Sequence, residues 1–169
     1  TPLFSLESQK PLSDFDILAF SISFENDFLN ILSILDLARV PVESRHRGKG
    51  HPLVMAGGVS VFLNPEPLSQ FFDVFILGEA EEVIGEFLEA YRLHFSGRQK
   101  KEDLLRKLVE IEGVYIPKFY QVTYQEDGRI KAMDPKPGFP PKVKRRWIRE
   151  IDRFSTRSTL FTPNTELRG

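Results

Sequence analysis

The chain has 169 residues, 41% hydrophobic and 28% charged, enough for one domain with a core of its own. Its 23 basic and 24 acidic side chains leave a formal net charge of -1, which gives no broad positive field for nucleic acid. With no cysteine, these residues hold no disulfide, no thiolate nucleophile and no thiolate-bound zinc or iron–sulfur cluster, a composition that fits a reducing, cytoplasmic setting. No apolar run has the length of a membrane span, and no signal peptide is visible. The chain opens on Thr1, not on methionine, so it reads as a fragment of a longer protein.

The first element is the apolar run Ile17 to Ile22, short enough for a strand buried on both faces. Asn26 or Asp27 caps a helix in which Phe28, Ile31, Leu32, Leu35 and Ala38 share one face, and Pro41 ends it. Glu43 to His51 reads as a solvated polar loop. Leu53 to Ala56 is a second buried strand, ending at Gly57-Gly58. Asn64-Pro65-Glu66 is a helix start, and that helix runs to about Phe72. Val74 to Leu77 is a third strand, and a helix from about Ala80 to Phe95 follows with Val83, Ile84, Phe87, Leu88, Tyr91 and Phe95 in its apolar stripe.

Strands and helices that alternate with such short crossovers predict a parallel sheet covered by helices. Lys101 to Glu110 is a further amphipathic helix, stopped at Gly113. Val114 to Tyr124 and Arg129 to Met133 then predict two strands joined at Glu126-Asp127-Gly128. The prolines from Pro135 to Pro141 demand extended chain, and the basic run Lys142 to Arg149 suits a solvated linker or a salt-bridged contact with a neighbouring domain. The predicted organisation is an α/β domain over 1–113, a β-hairpin extension over 114–134 and a linker or interdomain strap over 135–169. Three strands are few for this much chain. Strands ahead of Thr1, or pairing with another domain or copy, would complete the sheet.

In an open parallel sheet, ligands bind where the strands end. Three clusters converge there: Ser21 and Ser23, Gly57 and Gly58, and Gly78 with Glu79. Serine hydroxyls can bond a ligand's polar tail, and the glycine pair lets backbone approach a planar group. The same residues serve equally as helix caps and tight turns. Glu79, Glu81 and Glu82 complement a helix dipole and would repel a pyrophosphate. His46, His51 and His94 have no metal-ligand spacing, and the acids form no evident acid/base pair, so no catalytic or metal residue is assigned.

In chain order, Leu3-Phe4-Ser5-Leu6-Glu7-Ser8, Asp14-Phe15-Asp16 with Phe20-Ser21, Ala56-Gly57-Gly58, Asn64-Pro65-Glu66-Pro67, Phe71-Phe72-Asp73 and Gly78-Glu79-Ala80-Glu81-Glu82 resemble the N-terminal region of cobalamin-domain radical S-adenosylmethionine proteins, the Fe–S oxidoreductase group. Thr162-Pro163-Asn164-Thr165-Glu166 resembles the segment just before that family's barrel.

The resemblance implies a flavodoxin-like, three-layer domain. It implies cobalamin as the ligand at Ser21, Ser23, Gly57 and Gly58, with Gly78 and Glu79 on the same rim. It implies a radical SAM barrel of the parent chain as the partner, carrying the 4Fe–4S cluster and S-adenosylmethionine. The sequence departs from the pattern at Ala80, the third residue of the usual G-E-G-E run, and in having no cysteine. The family's first strand would lie ahead of Thr1. The expected role is a cofactor-binding-like accessory domain without catalysis of its own. The alternatives are a structural module packed on the barrel and, more remotely, a stand-alone nucleotide-binding domain.

Overall fold

Short apolar runs bounded by turn residues become strands in the computed structural model, which describes residues 2–96 and 100–154. The elements are β1 (Ile17–Ser21), α1 (Phe28–Leu37), β2 (Leu53–Gly57), α2 (Val59–Leu63), β3 (Val74–Ile76), α3 (Ala80–Ser96), α4 (Lys101–Leu108), β4 (Val114–Tyr115), β5 (Tyr120–Tyr124) and β6 (Ile130–Pro135). β1 to β4 form a four-stranded sheet in that order, parallel except for β4. β5 and β6 form a separate antiparallel pair. The architecture is α/β, and a flavodoxin-like fold is consistent with it. The 162–166 segment and the side chain of Phe95 lie outside the described residues.

Register explains the core. Phe20, Ala56, Phe75 and Tyr115 are successive partners across the four strands, so they share one face. Phe72 meets Phe20 edge-on at 5.8 Å and Phe75 at 5.2 Å, and Tyr115 continues the series to Tyr120 at 5.2 Å. Each such pair adds about 0.5–1.5 kcal/mol to the burial itself. β2 and β3 are buried on both faces, as near-continuous apolar strands should be. β1 is not: Leu18 is buried, while Ala19 and Ser21 on the opposite face are exposed.

Several boundaries differ from the sequence expectation for local reasons. α1 ends at Leu37, ahead of Pro41, because Arg39 turns left-handed (φ 58°) and the Val40 N–H donates to the Leu35 carbonyl at 3.0 Å. Asn64-Pro65-Glu66 starts only a single 3-10 turn, Glu66–Leu68; the helix on this crossover is α2, which precedes it. Val114-Tyr115 leaves the predicted long strand and closes the main sheet beside β3, while Tyr120 begins the hairpin. The 3-10 turn at Pro117–Phe119 separates the two.

The loop expected to be solvated contains a buried cation. Arg47 is only 5% exposed. Its Nε donates to Asp73 Oδ2 at 3.1 Å, Nη1 to the carbonyls of Pro41 and Val42, and Nη2 to the carbonyl of Phe71. Asp73 also accepts the Val54 N–H at 2.9 Å and Lys101 Nζ at 2.9 Å. One carboxylate thus ties the loop, the entry to β3, strand β2 and the start of α4. Burial pulls the Arg47 guanidinium below its usual range, and the charge and hydrogen bond of Asp73 oppose that.

Tyr115 donates its hydroxyl to Glu66 Oε1 at 2.6 Å. Burial first, and then this hydrogen bond, push the phenol well above its ordinary range. Above about pH 10 the unfolded chain loses this proton while the folded chain keeps it, so stability falls as pH rises. Urea unfolding on either side of that pH should show the fall. Tyr115→Phe should be less stable at neutral pH, through the lost hydrogen bond, but should fall less steeply in alkali. An unchanged alkaline slope would remove Tyr115 as its cause.

Candidate functional site: the strand-end rim

The three expected clusters do sit at the carboxyl ends of β1, β2 and β3, but the structure uses them differently. After β1 the chain alternates: Ser21 exposed, Ile22 buried, Ser23 exposed. Ile22 donates its N–H to the Gly57 carbonyl at 2.8 Å and accepts the Ser60 N–H at 3.1 Å. Gly58 makes this possible. It has φ +102°, and a Cβ there would stand 2.5 Å from the Ile22 carbonyl oxygen and 2.7 Å from its nitrogen. Gly57 is under no such constraint, since its Cβ would meet Ile76 at 3.6–3.8 Å, ordinary contact.

The difference between these glycines is measurable. Gly57→Ala should change stability by less than about 1 kcal/mol, because an alanine fits and also restrains the unfolded chain. Gly58→Ala should cost about 2 kcal/mol or more through strain and overlap. Thermal unfolding of the two variants checks this, and equal costs would refute it. Gly57→Ala therefore probes the rim without disturbing the fold.

The third cluster is covered by the chain itself. Residues expected as a linker run along the domain. The Lys136 N–H donates to Phe119, Phe139 stacks on Phe119 at 3.9 Å, and Tyr120 donates its hydroxyl to the Pro140 carbonyl. A strap then crosses the end of β3. Arg146 donates its N–H to the Leu77 carbonyl at 3.0 Å and accepts the Glu79 N–H at 3.3 Å. The Ile148 N–H donates to Glu79 Oε2 at 2.5 Å.

Gly78 (φ +112°) and Gly113 (φ +91°) both back onto Arg146. A Cβ on Gly78 would overlap the Arg146 carbonyl oxygen, and one on Gly113 would stand 2.9 Å from Arg146 Cβ. Gly113, expected as a helix stop, is thus the second wall of the strap's seat.

Charge holds the strap in register. Arg146 donates to Glu82 at 2.7 and 3.0 Å and to Glu86 at 2.7 Å. The hydrogen bond to Glu82, and then the charge of Glu86, raise the guanidinium above its usual range. Glu82, expected to complement the dipole of α3, and Glu79, expected on the rim as well, are receptors for the strap. The Arg145 guanidinium lies 3.7 Å from the ring centroids of both Phe62 and Trp147, which links α2 to the strap. Beyond it a cavity of about 680 Å³ opens, lined by Trp147, Arg149, Arg153 and Glu112 among others.

Of the expected site residues, Ser21 and Ser23 stay exposed, Gly57 lines the β2 end, Gly58 is filled by Ile22, and Gly78 and Glu79 hold the strap. The basic run around Arg146 made a contact between domains one sequence expectation; here the contact is within the chain. Among the described residues no three His, Asp or Glu side chains cluster as metal ligands, and no helix is long and apolar enough to cross a membrane.

The chain is 25% identical over 134 residues to an uncharacterized protein of Methanocaldococcus jannaschii, a match covering 79% of this chain and 24% of that protein. The chain therefore spans about a quarter of the length of the relative it matches. No solved structure matches it. The family model described as radical SAM proteins, N-terminal, matches residues 1–117, the sheet and helices whose strand ends form the rim, and the chain belongs to that family.

Proposed function

We propose that the chain is a non-catalytic accessory domain of a radical SAM enzyme, seated against a catalytic part that lies outside these residues. The observation that carries this reading is the family match over residues 1–117, whose strand-end rim is covered by the strap on its β3 side. The zero cysteine count adds that cluster thiolates must come from elsewhere in a longer chain. On this reading the parent is a cytoplasmic protein, and its remaining part binds the 4Fe–4S cluster and S-adenosylmethionine. The group bound there supplies the radical chemistry; the residues described here contribute shape and attachment.

The test is anaerobic purification and reconstitution of the full parent protein. Bound iron and sulfide and reductive cleavage of S-adenosylmethionine are expected in the parent and not in this chain. A parent that takes up no cluster would overturn the reading.

A second reading, cobalamin at the rim, has one observation in its favour. The exposed hydroxyls of Ser21 and Ser23 stand among exposed apolar groups on the same strand-end segments, Phe24, Val59 and Leu63. Those serines suit a ligand's polar tail. Gly58 and Gly78 do not offer open space, since Ile22 and Arg146 fill it; Gly78 and Glu79 would join the site only with the strap lifted. Mixing the parent with cobalamin decides between the readings. A shifted visible spectrum, co-elution on gel filtration and their loss in a Ser21→Val/Ser23→Val variant would support cobalamin. No shift and no co-eluting cobalamin would leave the structural role.

A further inference from the structure

The strap makes a cavity of its own. About 680 Å³ opens beside it, bordered by Arg145, Trp147, Arg149 and Arg153 from the strap and by Glu82 and Glu112 from the domain. That is room for a ligand the size of a nucleotide. Every cation on its wall lies beyond residues 1–117, so the positive charge comes from outside the segment that matches the family.

The charges at this cavity do not cancel. Arg146 is taken up by Glu82 and Glu86, with Glu112 3.9 Å away, and Arg153 pairs with Glu150. Among the described residues no acid pairs with Arg145 or Arg149. Glu112 also borders a second cavity of about 280 Å³, whose wall carries Lys142 and Lys144, again with no acid paired to them among the described residues. The chain as a whole is near neutral, so this excess is local.

Arg145 is held ready for an anion. Its guanidinium lies between Phe62 and Trp147, 3.7 Å from each ring centroid, and its Nε is buried with no acceptor among the described residues. A buried donor left unmet is costly, and a fixed one binds with little further ordering. Guanidinium groups suit phosphate, because two N–H donors can meet two of its oxygens at once. Trp147 is 63% exposed even though Arg145 covers part of its ring, so an aromatic surface stands open at the same cavity. An exposed indole beside unpaired arginines suits a flat ring that carries phosphate.

We propose that this cavity binds a nucleotide phosphate, with the base stacked on Trp147 and the phosphates on Arg145 and Arg149. Lys142 and Lys144 continue the positive track along the strap, where further phosphates would lie. A free nucleotide and a single-stranded nucleic acid offer the same chemistry, a base with phosphate attached, and binding measurements tell them apart. Nothing in this site depends on an iron–sulfur cluster or on S-adenosylmethionine.

The test is equilibrium binding to the full parent protein, with ADP, adenosine, inorganic phosphate and a single-stranded RNA of about five nucleotides as probes. ADP is expected to bind at least about tenfold more tightly than adenosine or inorganic phosphate, since each of these lacks one half of the contact. Trp147→Ala and Arg149→Ala are each expected to weaken ADP binding about tenfold. Both side chains are exposed, so neither change opens the core. Arg45→Ala, in a loop elsewhere and with its own partner in Glu43, should change nothing. RNA that binds more tightly than ADP, and is weakened by the same two substitutions, assigns the site to a strand; RNA that binds no better assigns it to a free nucleotide. No binding of ADP or RNA, adenosine or phosphate binding as tight as ADP, or ADP binding that survives both substitutions would overturn the proposal.

Discussion

Asp73→Ala is expected to destabilise the protein by about 3–5 kcal/mol, a large part of the roughly 5–15 kcal/mol that holds a domain folded. The side chains of Arg47 and Asp73 are 0% and 4% exposed. Removing the carboxylate strands the guanidinium with carbonyls alone, leaves the Val54 N–H without its acceptor and releases Lys101. The melting temperature should fall by roughly 10 °C or more.

Two controls separate this from a generic surface effect. Arg45→Ala, whose side chain is 74% exposed, should change stability by less than about 0.5 kcal/mol. Arg47→Met combined with Asp73→Leu should cost less than Asp73→Ala, because no charge is left buried alone. If Asp73→Ala melts with the wild type, the network does not hold these four segments together.

Gly78→Val should unseat the strap. The residue has φ +112° and backs directly onto the Arg146 carbonyl. Strain of about 1–3 kcal/mol and two weakened main-chain hydrogen bonds of about 1 kcal/mol each give a cost near 3 kcal/mol. The readout is local: trypsin should cut after Lys144, Arg145 or Arg149 about tenfold faster or more, since cleavage follows the open population. Arg146→Ala should have a smaller effect, about 1 kcal/mol, because Glu82 and Glu86 are each more than 40% exposed and water screens them. Unchanged cleavage in Gly78→Val would mean the glycine is not what admits the strap.

β2, β3, α3 and the hairpin follow from local signals, namely apolar runs, a 3.6-residue stripe and Glu126-Asp127-Gly128. The rim follows from the order of those elements. Arg47 was not legible because a lysine- and arginine-bearing loop with two glycines looks solvated; its partner Asp73 is 26 residues away and lies in the phenylalanine-rich run before β3. A strap was one expectation for this stretch, but its seat within the chain was not legible for the same reason, as Arg146 reaches back 64 residues to Glu82. Its signals were present as Gly78, Gly113 and the acids of α3, each of which also has an ordinary local use.

The strap also changes how the domain is tethered. Residues 135–148 could span up to roughly 45–50 Å if extended. Pinned at Phe119, Pro140, Arg146 and Ile148, they supply none of that length as slack. Whatever the chain joins beyond them is leashed from the strand ends themselves, not from the tip of the hairpin. Taking residues 135–148 out of the tether's free length raises the effective concentration of whatever follows at that face.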